Sequence, residues 1–392
     1  MTELTLMTDS DEKIKNYIDY MIENSTAEMP YWNQEKIRSG KPSKWNYIDG
    51  CMITAILELY EITKDSKYAE FADSFVGWFI EDDGNVKTYS PEEKNLDHLA
   101  AARNLFRLYE IRKNEKYRKA IEIFRHQLDI QPRTREGSFW HKEIYPNQVW
   151  LDGLYMAEPF YMTYETRYNR MRFCSDSFKQ FEIVKSRMKN PANGLYYHGY
   201  DESRQMYWAD SNTGCSQCSW LRSMGWLMVA LVETAAAMDE SIYYEYRSLG
   251  KMLKDAADAL SEWQDESGLF YQVVDHPEAE GNYLETSGTA LIAYALLKGV
   301  RLGLLPKRFI EIGEKAFNGI VENKLKFKED GVISLSDICL VAGLGGASHR
   351  DGSMEYYFSE PIVEDDAKGS APFILAYTEM LRRKRKVWNS KL

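Results

Sequence analysis

The chain has 392 residues, of which 49 are basic and 60 acidic, so its formal charge is −11. A general nucleic-acid-binding protein needs a basic face, and this balance argues against one. The N-terminal segment MTELTLMTDSDEK lacks the basic and apolar regions of a signal peptide, and no apolar window is long enough to span a membrane. Five scattered Cys residues fit reduced thiols. We therefore expect a cytoplasmic protein that binds neither nucleic acid nor membranes.

Apolar residues recur at helical spacing along most of the chain, as in Ile48, Met52 and Ile56. Short strands are predicted only near 270–274 and 332–335, where they follow turns. The pattern predicts an all-α protein, with helices over residues 11–24, 47–62, 66–82, 95–112, 115–130, 149–165, 173–188, 220–238, 243–264, 285–303, 307–323 and 369–385.

Turn glycines recur along the chain at irregular spacing, and each interval between them holds about two helices. Six helix pairs with similar connecting loops favour a closed ring of helical hairpins, an (α/α)6 barrel, over an open solenoid, which would need polar capping repeats. No segment reads as a linker between domains. We therefore predict a disordered N-terminus over residues 1–10 and a single domain over 11–392. The turn glycines are Gly40, Gly84, Gly137, Gly194, Gly268 and Gly331.

One acidic residue, Asp152, lies inside the apolar and aromatic run from Trp150 to Met156. Loss of hydration there favours the neutral form of a carboxyl group. Such a group suits a reaction in which it gives up a proton near neutral pH and then takes one back. The alternative is that Asp152 caps the helix that begins in this run.

Further polar candidates lie at predicted helix starts and turns. Asp97 begins a helix and is either a second functional carboxylate near Asp152 or a first-turn acid that interacts with the helix dipole. His198, on a turn rich in aromatic residues, is either catalytic or a packed structural residue. His141 and Lys142 belong to the loop before Asp152, and loops on a rigid scaffold often carry binding residues.

Arg222 and Trp226 are four residues apart on one predicted helix, so they share a face. An Arg offers a planar fork for a carboxylate, and a neighbouring Trp offers a stacking surface, which together suit a sugar acid. The alternative is a structural Arg–Trp stack.

Two further segments contain residue types that occur in ligand sites. Cys215 and Cys218 have metal or redox spacing, but the sequence offers no second ligand pair and no βαβ pattern. The glycine-rich segment 343–352 lacks the Lys-Ser/Thr of a phosphate loop. We expect no metal and no cofactor, and we place this loop, with the following residues 353–357, near the mouth of the ring.

Taken in order, these segments resemble glycoside hydrolase family 105, the unsaturated rhamnogalacturonyl hydrolases. The resemblance covers nearly the whole chain, from about Trp45 to the last helix. Residues 214–222 depart from the family's usual Ser-Pro-x-x-Trp-x-Arg pattern, which concerns the subsite next to the unsaturated sugar. The matching phrases are 95–98, 141–156, 194–199, 208–226, 285–294, 341–357 and 368–373.

The resemblance implies an (α/α)6 barrel and a metal-independent cytoplasmic enzyme. It also implies a reaction on lyase products, whose terminal uronic acid carries a C4=C5 double bond. An Asp protonates C4 and then activates the water that attacks C5. The match gives this acid and base role to Asp152 and an assisting role to Asp97. It implies substrate contacts from His141, Lys142, His198, Trp220, Arg222 and Trp226.

The expected substrate is therefore an unsaturated uronic-acid oligosaccharide derived from rhamnogalacturonan, and the expected state is a monomer or weak dimer. Three alternatives remain from the sequence. An unsaturated glucuronyl hydrolase would share the fold and the role of Asp152. A sugar epimerase on the same toroid usually relies on a pair of His residues. A non-catalytic carbohydrate-binding protein would keep the Trp and Arg surface without needing Asp152.

Overall fold

The structure is a computed structural model that describes residues 9–328 and 331–385. Helix α1 begins at Asp9, inside the segment 1–10 that we expected to be disordered, and residues 1–8 of that segment lie outside the described residues. In the part of the chain that is described, no helix combines the length and the apolar character needed to cross a bilayer.

The prediction of an all-α protein is confirmed, with strands limited to short antiparallel ribbons. The helices are α1 (Asp9–Glu23), α2 (Gln34–Ser39), α3 (Tyr47–Thr63), α4 (Ser66–Gly77), α5 (Asp97–Ala102), α6 (Asn104–Arg112), α7 (Glu115–Ile130), α8 (Leu151–Tyr168), α9 (Cys174–Met188), α10 (Leu221–Ala237), α11 (Tyr243–Ser261), α12 (Thr286–Arg301), α13 (Phe309–Asn323), α14 (Met354–Ser359) and α15 (Ala367–Lys384). The paired strands are β1 (Gln148–Trp150) with β2 (Gly199–Asp201), β3 (Phe270–Tyr271) with β4 (Leu284–Glu285), β5 (Leu325–Phe327) with β6 (Ile333–Leu335), and β7 (Ile338–Cys339) with β8 (Ile362–Val363).

The predicted helix bounds agree with the structure to within about three residues, except that the predicted helix 66–82 ends at Gly77. The predicted helix 95–112 is two helices, α5 and α6, separated by Arg103. The six-residue helices α2 and α14 were not predicted, because a segment of that length is too short for the helical period to show. Each begins at a side-chain cap, Asn33 for α2 and Ser353 for α14.

Six helices form an inner ring in which each packs against the next: α3, α5, α8, α10, α12 and α15. Helix α15 packs in turn against α3, so the ring is closed and the predicted (α/α)6 barrel is confirmed. Helices α4, α7, α9, α11 and α13 lie outside it, and α1 completes the outer layer. Tyr17 of α1 holds α15 through a 2.7 Å hydrogen bond between its hydroxyl and Ser370 Oγ.

The predicted turn glycines lie where the chain leaves the outer layer and approaches the next inner helix. Gly84 follows α4 with φ 93°, and Gly137 follows α7 with φ 102°, both in the left-handed region that favours glycine. A Cβ on Gly84 would also stand 2.4 Å from Lys119 Cβ. All six predicted turn glycines have positive φ, so the loose sequence repeat corresponds to a repeated turn.

Backbone hydrogen bonds join neighbouring loops at the end of the ring where the inner helices begin, which we call the mouth. The amide of Leu151, for example, donates to the carbonyl of His198 at 3.1 Å. The positive ends of the inner helix dipoles converge at this end, which favours an anionic ligand there. The other amide-to-carbonyl bonds of this kind are Leu96 to His141, Leu221 to Gln272, Thr286 to Asp337, and Ala367 to Trp32.

Candidate active site at the mouth of the ring

Asp152 lies in the first turn of α8, immediately after strand β1, and is 8% exposed. Strand β1 pairs with β2 so that Trp150 lies opposite Gly199, which brings His198 beside Asp152. His198 Nε2 lies 3.2 Å from Asp152 Oδ2. The N-cap of α8 is Trp150 rather than Asp152, and within the described residues no side-chain hydrogen bond caps the start of this helix. Asp152 is therefore not the N-cap of α8, which was the alternative role considered for it.

His198 is completely buried among aromatic rings. Its ring centroid lies 4.8 Å from that of Trp220 and 5.6 Å from that of Trp150. On the side away from Asp152, His198 Nδ1 lies 2.7 Å from the hydroxyl of Tyr357, a hydrogen-bond distance. One side chain thus connects Asp152 with a phenol on α14.

Asp97, the first residue of α5, lies between two basic side chains. Its Oδ2 is 2.6 Å from Lys142 Nζ, and its Oδ1 is 3.2 Å from His141 Nε2. The backbone fixes this arrangement, because the Leu96 amide donates to the His141 carbonyl at 3.1 Å. Burial by itself raises the pKa of Asp97, but the charges of Lys142 and His141 and their hydrogen bonds lower it well below its ordinary value. Asp97 therefore stays ionised at neutral pH.

The two carboxylates belong to one connected cluster. The His141 ring stacks on Trp150 with centroids 4.5 Å apart, and Trp150 also contacts His198. On α8, a Cβ added to Gly153 would stand 3.2 Å from His141 Nδ1. His141 therefore contacts Asp97 on one side and the start of the helix that carries Asp152 on the other.

Arg222 is only 1% exposed and lies over the ring of Trp220, with its Cζ 4.8 Å from the ring centroid. Its Nη1 donates to Ser287 Oγ at 3.1 Å and to the carbonyl of Cys339. Burial by itself lowers the pKa of Arg222, but Coulomb attraction to Cys339 and Glu285 raises it above its ordinary value. The guanidinium therefore remains charged.

The structure does not bring Trp226 to this cluster. The sequence predicted that Arg222 and Trp226 share a face and act together, but Trp226 is 2% exposed and stacks on Tyr155 with centroids 4.3 Å apart. Because it lies one helical turn further along α10, its ring packs deeper inside the barrel. The aromatic partner of Arg222 is Trp220 instead.

Several residues at the mouth were not singled out from the sequence. Tyr145 stacks on Trp150, with centroids 5.2 Å apart and an interplanar angle of 19°. Its hydroxyl accepts a 3.1 Å hydrogen bond from Nη2 of Arg350, which belongs to the glycine-rich segment. Leu344 of the same segment packs with Trp150. The expectation that 343–352 lies near the mouth is confirmed. The only sequence signal for Tyr357 as a residue of the site was its place in the segment 353–357, which follows this loop.

Cys215 and Cys218 are both buried free thiols. Cys215 Sγ lies 3.1 Å from the carbonyl of Arg187, whereas Cys218 packs with Trp220. Within the described ranges, no three His, Cys, Asp or Glu side chains are grouped so as to hold a metal ion.

A cavity of about 1160 Å³ lies at the opposite end of the barrel, where the inner helices end. Charged residues line it and pair with one another, as in Lys298 Nζ to Glu233 Oε1 at 2.7 Å and Arg107 Nη1 to Glu58 Oε1 at 2.9 Å. The cluster around Asp97 and Asp152 is at the other end and does not line this cavity.

Comparisons with known proteins agree with this architecture. The family model described as Glycosyl Hydrolase Family 88 matches residues 14–384, so the chain belongs to this family of glycoside hydrolases. Among solved structures, the chain is similar to the C. acetobutylicum ATCC 824 glycoside hydrolase from family 105. Identity is 41% and the TM-score is 0.87, over 95% of this chain and 99% of that one. The resemblance to family 105 is therefore confirmed.

Two other proteins add to the comparison. Protein Atu3128 of Agrobacterium fabrum is 40% identical over 233 residues, which is 58% of this chain and 98% of that protein. Unsaturated rhamnogalacturonyl hydrolase YesR of Bacillus subtilis is 25% identical over 330 residues, which is 83% of this chain and 84% of that protein.

Proposed function

We propose that the chain removes the terminal unsaturated galacturonyl residue from rhamnogalacturonan oligosaccharides that a polysaccharide lyase has produced. The observation that carries the proposal is the different surroundings of the two carboxylates. Asp97 is ion-paired with Lys142 and contacts His141, whereas Asp152 faces His198. A retaining or inverting glycosidase needs two carboxyl groups that both face the glycosidic bond. A single free carboxyl group instead suits hydration of a vinyl ether. The similarity to YesR supports rhamnogalacturonan as the source of the substrate.

In the proposed reaction Asp152 serves first as acid and then as base. Its proton goes to C4, the electron pair of the C4=C5 bond forms the new C–H bond, and positive charge develops at C5 and the ring oxygen. Water attacks C5 and gives a proton back to Asp152. The hemiketal then opens at the ring oxygen, and the resulting hemiacetal at C1 releases the neighbouring sugar. One water is consumed, and Asp152 is regenerated.

The mouth suits an anionic sugar although the chain carries a net charge of −11. The helix starts that converge there offer positive potential. Nη1 of Arg222 is held by Ser287 and Cys339. In the described residues its Nε and Nη2 make no hydrogen bond, so they are free for the uronate carboxylate. Trp220, which is 0% exposed, supports the Arg222 guanidinium from below. Lys142, fixed by Asp97, adds a second cation.

Loss of the ultraviolet absorbance of the conjugated C4=C5 bond tests the proposal directly. The protein is incubated with unsaturated rhamnogalacturonan disaccharide and, in parallel, with unsaturated glucuronyl disaccharides. Rapid loss with the first alone supports the proposal. Loss with the second alone keeps the reaction but assigns a different substrate, and no loss with either rejects the activity.

A further inference from the structure

The hydroxyl of Tyr357 and the ring of His198 form a buried chain that ends at Asp152. Tyr357 comes from α14, 159 positions from His198 in sequence, and both side chains are 0% exposed. We propose that Tyr357 is a positioning residue, which holds neutral His198 in the tautomer that carries its proton on Nε2 and so keeps the acid proton of Asp152 on Oδ1.

The hydrogen bond between Tyr357 and His198 determines which ring nitrogen carries the proton. In the described part of the chain, the Tyr357 hydroxyl has one hydrogen-bonding neighbour, His198 Nδ1 at 2.7 Å. If Nδ1 carried the proton, it would donate a hydrogen bond to the phenol oxygen. The phenol O–H would then be buried without an acceptor, which costs free energy. If the phenol donates to the Nδ1 lone pair, both groups are satisfied. Burial also raises the pKa of Tyr357 well above its ordinary value, so the phenol keeps its proton.

The other side of the His198 ring faces Asp152. His198 Nε2 and Asp152 Oδ2 are both buried, and neither makes an aligned hydrogen bond with any described residue, yet they lie 3.2 Å apart. Catalytic hydrogen bonds are often misaligned before substrate binds. A proton on Nε2 pairs these two atoms as donor and acceptor. The opposite tautomer would present a lone pair to Oδ2 and draw the acid proton of Asp152 toward the histidine.

The two oxygens of Asp152 have different roles in the reaction. With Oδ2 accepting from Nε2–H, the proton of the neutral acid must sit on Oδ1, which makes no hydrogen bond with the described residues. That oxygen can then protonate C4. Once the proton has left, Nε2–H stabilises the carboxylate that will receive a proton from water. Tyr357 therefore acts on the reaction through His198, without contacting the substrate.

Nitrogen-15 spectra of protein labelled at histidine test the tautomer without any substrate. The His198→Gln variant identifies the His198 signals by their loss. We expect an unprotonated Nδ1 and a protonated Nε2 in the wild type at neutral pH, and a clear change in both shifts in Tyr357→Phe. A protonated Nδ1 in the wild type, or unchanged shifts in the variant, would overturn the inference.

Kinetics give a second readout, which rests on the proposed function. We expect Tyr357→Phe to lower kcat about 10- to 100-fold, with KM changed less than about twofold. Tyr117→Phe is the matched control, because Tyr117 is equally buried but its hydroxyl bonds Asp73 between outer helices. A folded Tyr357→Phe with the kcat of the wild type would reject the positioning role. If no unsaturated substrate is turned over at all, the proposed function fails, while the spectra still decide the tautomer.

Discussion

Lys142 Nζ lies 2.6 Å from Asp97 Oδ2, which joins the loop before α8 to the first residue of α5 at the mouth of the ring. Burial by itself lowers the pKa of Lys142, but the charge of Asp97 raises it above its ordinary value. Burial likewise opposes ionisation of Asp97, and its cationic neighbours more than offset this. Each group therefore keeps the other charged although both side chains are largely buried.

This pair predicts a pH-dependent loss of stability in Asp97→Asn. A carboxylate whose folded pKa is depressed contributes stability above its unfolded pKa of about 4, and that contribution is lost as the pH falls toward the folded value. Asp97→Asn also leaves the Lys142 cation without its partner. We expect a destabilisation of about 1–3 kcal/mol at pH 7. The difference from the wild type should shrink below about pH 4, measured by denaturant unfolding at several pH values.

Asp19→Asn provides the control for this variant. Asp19 lies on outer helix α1 between Lys15 Nζ at 2.7 Å and Lys67 Nζ at 2.8 Å, and its pKa is also lowered. Both variants remove a carboxylate between cations, but only Asp97→Asn should lower kcat/KM, by about 100-fold. A stability difference that stays constant from pH 7 to pH 3 would contradict the role assigned to the Asp97 charge.

Asp152→Asn should abolish turnover while leaving the fold and substrate binding in place. The amide has nearly the shape of the acid, and in the described part of the chain no side-chain bond caps the start of α8 that the change could break. It has no proton of suitable acidity to give to C4. We expect kcat to fall by at least about 10⁴-fold. Isothermal titration with unsaturated substrate should still detect binding, and a turnover close to that of the wild type would assign the acid to another group.

Much of the architecture could be predicted because it depends on local sequence patterns. Helical periodicity located the ring helices, and the turn glycines showed where pairs meet. The pairing of Asp152 with His198 could not be predicted, since it depends on the register of a three-residue ribbon. The ring that contacts Arg222 could not be predicted for a related reason. Sequence spacing gave the shared face with Trp226 but not the depth at which that face enters the barrel.

Replacement of Arg222 should affect substrate binding more than the chemical step. Arg222→Lys keeps the charge but loses the planar fork, which binds the Cys339 carbonyl and which we propose also binds the uronate carboxylate. We expect KM to rise about 10- to 100-fold, with kcat within about fivefold of the wild type. Arg222→Gln, which also removes the charge, should raise KM further. Initial rates over a range of substrate concentrations measure both constants, and an unchanged KM in both variants would mean that another cation binds the uronate.

Gly153→Ala tests whether His141 must keep its place between Asp97 and α8. The added Cβ would stand 3.2 Å from His141 Nδ1 and 3.3 Å from a methyl carbon of Leu96, which is closer than ordinary contact. His141 must therefore shift by a few tenths of an ångström. Ala is the better helix former by about 1 kcal/mol, so stability should change little. We expect kcat to fall about 10-fold, because small displacements in an active site are costly.

Gly77→Ala is a closely matched control for this change. Gly77 is the last residue of outer helix α4, and a Cβ there would stand 3.2 Å from the Tyr117 hydroxyl and 3.3 Å from Lys116 Nζ. The steric demand is the same, but the contacts lie away from the mouth. Gly77→Ala should keep the kcat of the wild type, as measured by loss of the C4=C5 absorbance. Equal losses of kcat in the two variants would trace the effect to strain in the barrel rather than to the position of His141.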